Sequence, residues 1–141
     1  MRVAIIHHGV RVLADAVAEG VVKAGGEVRL LDVTEAGPAD VGWADAVLFG
    51  APARVGGVGP ELTRFIGRLT EPGVYAGFVA TGPTGGGEST LLALYTSLHH
   101  LGGVLVSPGY TDDIWFRPGD PSDLGYRVAV TAGRLRSQVA A

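Results

Sequence analysis

The chain has 141 residues, of which 47% are hydrophobic and 18% charged, a size and balance that fit one folded domain and exclude a disordered chain. Eleven Lys and Arg against 14 Asp and Glu give a net charge of −3 without a basic tract, so nucleic acid is not an expected partner. The absence of cysteine excludes disulfides, thiolate metal sites and a cysteine nucleophile.

No apolar run approaches the roughly 20 residues that a membrane-spanning helix needs. The N-terminal residues also lack the charged and then apolar pattern of a secretory leader. We therefore expect a protein of the cytoplasm that makes no membrane contact.

The first half of the chain alternates apolar runs with a helical pattern. Residues 3–6 form a continuous apolar run, typical of a parallel strand that is buried on both faces. From Val10, apolar residues recur at helical spacing with charges on the opposite side, and Gly25-Gly26 ends this helix. The second and third strands are predicted at residues 28–33 and 46–49.

The second half continues the alternation. A loop over residues 50–59 leads to Pro60, which suits the first turn of a helix. Strands are predicted at residues 78–80 and 104–106, with a glycine-rich segment and a helix between them. An irregular stretch then precedes a last helix that carries Leu124 and Val128 on its buried side.

Five strands that alternate with helices predict an α/β fold. Right-handed crossovers place helices on both faces of a doubly wound parallel sheet, for which the order 2-1-3-4-5 is predicted over a single domain, residues 1–141. Ligands of such sheets bind outside the carboxyl ends of the strands, at the switch point between the neighbouring strands one and three. The segments that leave those ends are residues 7–9, 50–59, 81–87 and 110–113.

The segment Thr-Gly-Pro-Thr-Gly-Gly-Gly at residues 81–87 connects a strand to a helix. Glycine lets backbone N–H groups approach a flat or anionic ligand, and the following helix adds its positive end. Three consecutive glycines cost about 0.5–1 kcal/mol each relative to alanine, which favours ligand contact over a mere connection. The segment matches neither a Walker loop nor a GxGxxG fingerprint.

The histidines form two pairs, His7-His8 after the first strand and His99-His100 near a helix end. Neighbours on a strand point to opposite faces, so at most one of His7 and His8 faces the crevice, where it could transfer a proton. Neither pair has the i, i+4 spacing of a helical zinc site, and no metal site is expected. Alternatively, His99 and His100 lie near the helix C-terminus only because the helix dipole favours such side chains there.

Asp112-Asp113 lies in a loop that also contains Trp115-Phe116. Paired carboxylates can divide acid and base roles, although a solvated turn is the more common reason for such a pair. The two aromatic residues either cover a flat ligand or pack into a subunit contact.

Several segments in consistent order resemble the flavodoxin-like NAD(P)H:quinone oxidoreductases of the WrbA type. The resemblance extends from about Asp45 to Thr111 and is carried by residues 45–56, Thr63-Arg64-Phe65, residues 81–87, residues 98–102 and Pro108-Gly109-Tyr110. It implies a flavodoxin-like fold, FMN as cofactor, NAD(P)H as co-substrate, and a quinone or aromatic small molecule as substrate. It also implies a homo-oligomer.

The resemblance further implies site residues. The flavin would be bordered by Ala53, Arg54 and Val55 from the loop after strand three, by Thr81, Gly82, Pro83, Thr84, Gly85 and Gly86 after strand four, and by His99. Of the candidate catalytic residues, only His99 comes from the resemblance. His7, His8 and Asp112 are candidates because the predicted sheet places them at the crevice.

Two departures from the family pattern leave alternatives open. The segment after strand one is shorter than the family's phosphate loop and has no hydroxyl side chain, and the family's tryptophan-bearing insertion before strand four is absent. Besides an FMN-dependent quinone reductase, the sequence is therefore compatible with an FMN-free acid–base enzyme acting on a carbonyl-rich or aromatic molecule. A non-catalytic binding domain is the third alternative.

Overall fold

A computed structural model describes residues 1–54, 57–81, 85–108 and 120–140. Within these ranges strands and helices alternate along the chain. The elements are β1 (Arg2–His7), α1 (Arg11–Lys23), β2 (Glu27–Asp32), α2 (Pro38–Trp43), β3 (Ala46–Pro52), α3 (Pro60–Gly67), β4 (Val74–Ala80), α4 (Gly87–His99), β5 (Val104–Leu105) and α5 (Pro121–Ala140).

The strands form one parallel sheet in the order β2-β1-β3-β4-β5, which confirms the predicted topology. In the central strand, Ile5 lies beside Leu30 of β2 and Leu48 of β3. Residues 3–6 are fully buried, as expected for a strand that is covered on both faces.

Alternate residues of the central strand contribute to two separate cores. Val3 and Ile5 belong to the core that includes α1 and α5, whereas Ala4 and Ile6 belong to the core that includes α3 and α4. Because side chains alternate along a strand, β1 contributes side chains to the cores on both faces of the sheet in a three-layer structure.

Helices α1 and α5 approach each other closely because glycine lies at two contact points. A Cβ on Gly20 would overlap the carbonyl group of Ser122, and a Cβ on Gly125 would overlap the carbonyl group of Val17. Only a residue without a side chain permits this backbone separation.

The element bounds differ from the sequence prediction at several elements, of which α2, β4 and β5 matter most for the sheet edge and its cover. Helix α2 lies in a stretch where no helix was predicted, because it is only six residues long and contains no buried residue. Strand β4 begins at Val74 and not at residue 78, because Gly77 interrupts the apolar run. Strand β5 pairs with β4 only through Val104 and Leu105. None of the helices in the described ranges is both long and apolar enough to cross a bilayer.

Candidate functional site

The carboxyl ends of β1, β3 and β4 meet at one edge of the sheet. His7 is in register with Gly50, and the backbone N–H of His8 donates to the Gly50 carbonyl at 3.0 Å. Beyond the end of β3, the N–H of Ala53 donates to the carbonyl of Ala80 at 2.9 Å. The loops that follow β3 and β4 therefore start side by side at the predicted crevice.

After β3, the backbones of Arg54 and Gly57 pair with each other. The N–H of Gly57 donates to the Arg54 carbonyl at 2.7 Å, and the N–H of Arg54 donates weakly in return at 3.4 Å. The Arg54 side chain is exposed and has no ion pair with any residue that the structure describes. An exposed cation thus follows Ala53 at the predicted ligand edge of the sheet. Val55 lies outside the described residues.

The loop after β4 ends in two glycines with left-handed backbone. Gly85 and Gly86 have φ angles of 79° and 84°, which residues with side chains rarely adopt. Gly86 is the N-cap of α4, and its carbonyl accepts the N–H of Thr90 at 3.1 Å. The glycines therefore leave an exposed stretch of backbone at the positive end of a 13-residue helix. Gly82, Pro83 and Thr84 lie outside the described ranges.

His7 and His8 face different layers, as alternation along a strand requires. His7 is only 5% exposed, lies among the charges of Asp32, Arg11 and Asp15, and has no hydrogen-bond partner on either ring nitrogen. Burial lowers the pKa of His7, with the nearby Asp32 carboxylate opposing that effect. His7 is thus a neutral imidazole near pH 7.

His8 points towards α3. Its Nε2 lies 3.9 Å from a carboxylate oxygen of Glu61, its Nδ1 is buried without a partner, and the side chain is 27% exposed. Sequence reasoning did not single out Glu61. A signal existed, because Glu61 follows Pro60 in the first turn of a helix that begins at the ligand-binding edge.

Other charges near this edge are already paired. Arg11 Nε lies 3.0 Å from Asp15 Oδ1. Asp32 Oδ1 accepts the backbone N–H of Thr34 at 3.0 Å and its hydroxyl at 2.8 Å, and these two hydrogen bonds lower the pKa of Asp32. Asp32 therefore stays ionised beside His7.

The structure does not bring His99 together with the other predicted site residues. Helix α4 starts at the carboxyl end of β4 and runs back for 13 residues, roughly 20 Å, before the chain enters β5. His99 is exposed at the far end of that helix, where its ring contacts the ring of His100. Within one chain it therefore lies at the opposite edge of the sheet from His7 and His8.

The predictions for Asp112, Asp113, Trp115 and Phe116 fall outside the described residues. In the part of the chain that is described, no three His, Asp or Glu side chains gather as a metal ion would require.

The edge fits one part of FMN better than the other. The adjacent loops after β3 and β4 present exposed glycine backbone and Arg54, which suit the flat, polar-edged flavin ring. The connection between β1 and α1 consists only of His8, Gly9 and Val10, and α1 has no side-chain cap. The residues present thus fit the flavin ring, whereas they offer few hydrogen-bond donors to the phosphate group of FMN.

Comparisons with known proteins agree with this geometry. An archaeal flavodoxin matches with a TM-score of 0.73 at 14% identity, covering 94% of this chain and 99% of that one. The flavodoxin, WrbA-like protein from Agrobacterium tumefaciens matches with a TM-score of 0.67 at 24% identity, covering 96% and 98%. The sheet and its ligand edge define a flavodoxin-like protein.

More particularly, the sequence is similar to a quinone-reducing enzyme. It is 39% identical over 110 residues to the NAD(P)H dehydrogenase (quinone) of Deinococcus radiodurans, covering 72% of this chain. The predicted resemblance to the WrbA type is confirmed. The chain spans about half, 54%, of the length of that relative, and no family model matches it.

Proposed function

We propose that this chain is a flavin-dependent NAD(P)H:quinone-type oxidoreductase that acts on a quinone or a related aromatic small molecule. The observation that carries the proposal is the 39% identity to an NAD(P)H dehydrogenase (quinone). The loops that start side by side at the ends of β3 and β4 support it, because their exposed glycine backbone suits a flat heteroaromatic ring. The comparisons do not support an FMN-free enzyme or a non-catalytic domain.

FMN is the proposed cofactor, with NAD(P)H as co-substrate; a bound flavin accepts a hydride from a nicotinamide and passes the reducing equivalents to an acceptor. Ala53 and Arg54 would border one side of the ring. The backbone at Thr81 and at Gly85-Gly86 would border another, where glycine allows close approach. Val55, Gly82, Pro83 and Thr84 complete the proposed set by their positions in the same loops.

Reduction of a quinone by hydride transfer also consumes a proton. His7 and His8 differ in how well they could donate it. His7 is buried with a lowered pKa, so the proton-bearing form is disfavoured. The side chain of His8 is partly exposed, and its Nε2 lies 3.9 Å from a carboxylate oxygen of Glu61. We therefore place His8 ahead of His7 as a proton donor, with Asp112 retained as a further candidate.

The test is a reductase assay on the purified chain supplied with FMN. NADH or NADPH oxidation should depend on both the protein and a benzoquinone, at a rate well above that of free FMN with heat-denatured protein. A chain that neither quenches FMN fluorescence nor accelerates this reaction would contradict the proposal.

A further inference from the structure

We infer that this chain binds its flavin mainly through the ring and that the phosphate group of FMN adds little to the affinity. The dissociation constant of riboflavin should therefore lie within about tenfold of that of FMN. The inference rests on the proposed function and concerns the segment between β1 and α1. That segment lies at the sheet edge where a flavodoxin-like protein would place the phosphate end of the cofactor.

The first argument is the number of donors. Phosphate monoesters carry close to two negative charges and are held by several charge-assisted hydrogen bonds. Only three residues separate β1 from α1, and no hydroxyl side chain occurs between His7 and Leu13. Val10, the N-cap of α1, is 5% exposed and packs into the core. The described part of this edge thus offers little beyond the first amides of α1.

The second argument is charge. Arg11, the cation nearest these amides in sequence, is paired with Asp15 at 3.0 Å. A carboxylate of Glu61 lies 3.9 Å from His8, and the ionised Asp32 lies near His7. A phosphate dianion at the start of α1 would therefore lie near the carboxylates of Glu61 and Asp32, while Arg11 is already paired. Repulsion would offset much of what the helix amides contribute.

The third argument comes from the unpartnered imidazole nitrogens. Both ring nitrogens of His7 and the Nδ1 of His8 are buried without hydrogen bonds. A neutral imidazole has one donor and one acceptor nitrogen. The ribityl hydroxyls, including the terminal one that riboflavin carries in place of phosphate, can both donate and accept. A phosphate dianion can only accept, so it would leave the acceptor nitrogen of the neutral His7 unpaired, whereas a hydroxyl could donate to that nitrogen.

The inference is tested by titrating the apoprotein with FMN and with riboflavin, following the quenching of flavin fluorescence at one ionic strength. The expected dissociation constants agree within about tenfold, a difference of at most about 1.4 kcal/mol. FMN binding more than tenfold tighter than riboflavin would overturn the inference and leave the proposed function intact. Failure of both flavins to bind would contradict both.

A substitution tests the effect of the Glu61 charge on flavin affinity without a large change in side-chain shape. Glu61→Gln removes the carboxylate beside His8 and should tighten FMN binding about threefold or more, while riboflavin affinity changes less than twofold. Glu71→Gln is the matched control, because Glu71 is an exposed residue just before β4, at the opposite edge of the sheet. Equal effects of Glu61→Gln on both flavins, or weaker FMN binding, would overturn the inference.

Discussion

The hydroxyl of Tyr95 on α4 donates to the backbone carbonyl of Val106 at 2.5 Å, just beyond the end of β5. The same hydroxyl accepts the backbone N–H of Gly77 at 3.0 Å. Since Val106 N–H donates to the Tyr75 carbonyl, the next bond of a parallel ladder would join Gly77 directly to Val106. Tyr95 replaces that bond and ends the short edge strand where the chain turns towards the ligand edge.

Tyr95→Phe should lower the free energy of unfolding by about 1–3 kcal/mol, because it leaves the Gly77 N–H and the Val106 carbonyl unpaired. Burial raises the pKa of Tyr95 to about 12, so the hydroxyl keeps its proton throughout a neutral urea titration. Urea unfolding at pH 7.5 measures the effect. Tyr126→Phe is the control, since Tyr126 is exposed on α5, and a loss of equal size there would contradict the assignment.

Stability should decrease as the pH falls below about 6.5, the ordinary pKa of histidine, because His7 has a lowered pKa in the folded state. Between these two pKa values the unfolded chain binds a proton that the folded chain does not, so unfolding becomes easier. The loss between pH 7.5 and 5.5 is at most about 1.4 kcal/mol. Asp32, whose pKa is also lowered, changes the stability only near and below about pH 4.

Urea titrations of the parent chain and of His7→Leu at these two pH values measure the contribution of His7. The difference in unfolding free energy between the two pH values should shrink in His7→Leu. It should persist in His100→Gln, because His100 is exposed. An unchanged difference in His7→Leu would show that His7 is not the titrating group.

Gly125→Ala should destabilise the chain by about 1–3 kcal/mol or more, because the added methyl group overlaps the Val17 carbonyl and separates α5 from α1. Gly133→Ala on the same helix is the control. Its Cβ would contact only the Met1 side chain, at 3.4 Å, so improved helix propensity should leave stability unchanged or raised by up to about 1 kcal/mol. Thermal unfolding of both variants distinguishes the two sites, and similar melting temperatures would contradict the close helix contact.

Arg54→Gln should raise the dissociation constant of the flavin about threefold to tenfold, because it removes the exposed cation at the predicted ligand edge of the sheet. Fluorescence titration measures this constant. Arg134→Gln is the control, since Arg134 is exposed well along α5, a helix that starts at the ligand edge and runs away from it. Equal affinities of the two variants would exclude Arg54 from the site.

We expect the chain to associate as a homo-oligomer, as the family resemblance implies. Large apolar side chains stand exposed on two helices: Val12 at 84% and Val22 at 61% on α1, and Leu92 at 58% on α4. Sedimentation at micromolar concentration should show a species larger than the monomer. A single monomeric species would contradict this expectation.

The sequence by itself determined the order of the strands and the edge at which ligands bind. Short continuous apolar runs such as residues 3–6, alternating with helical patterns, indicate strands covered on both faces, and right-handed crossovers then leave few topologies. The glycines at residues 85–87 and the proline at residue 60 marked where helices begin on that edge. These features are local, so a pattern along the chain is enough to recognise them.

Tertiary structure alone decided which side chains meet there. The sequence placed His7 and His8 at the crevice, but the packing of α3 brought Glu61 to His8, and the pairing of β1 with β2 brought Asp32 to His7. The same packing carried His99 to the opposite edge and set Tyr95 between β4 and β5. Contacts between residues distant in sequence depend on how helices lie against the sheet, and no periodicity within one segment contains that information.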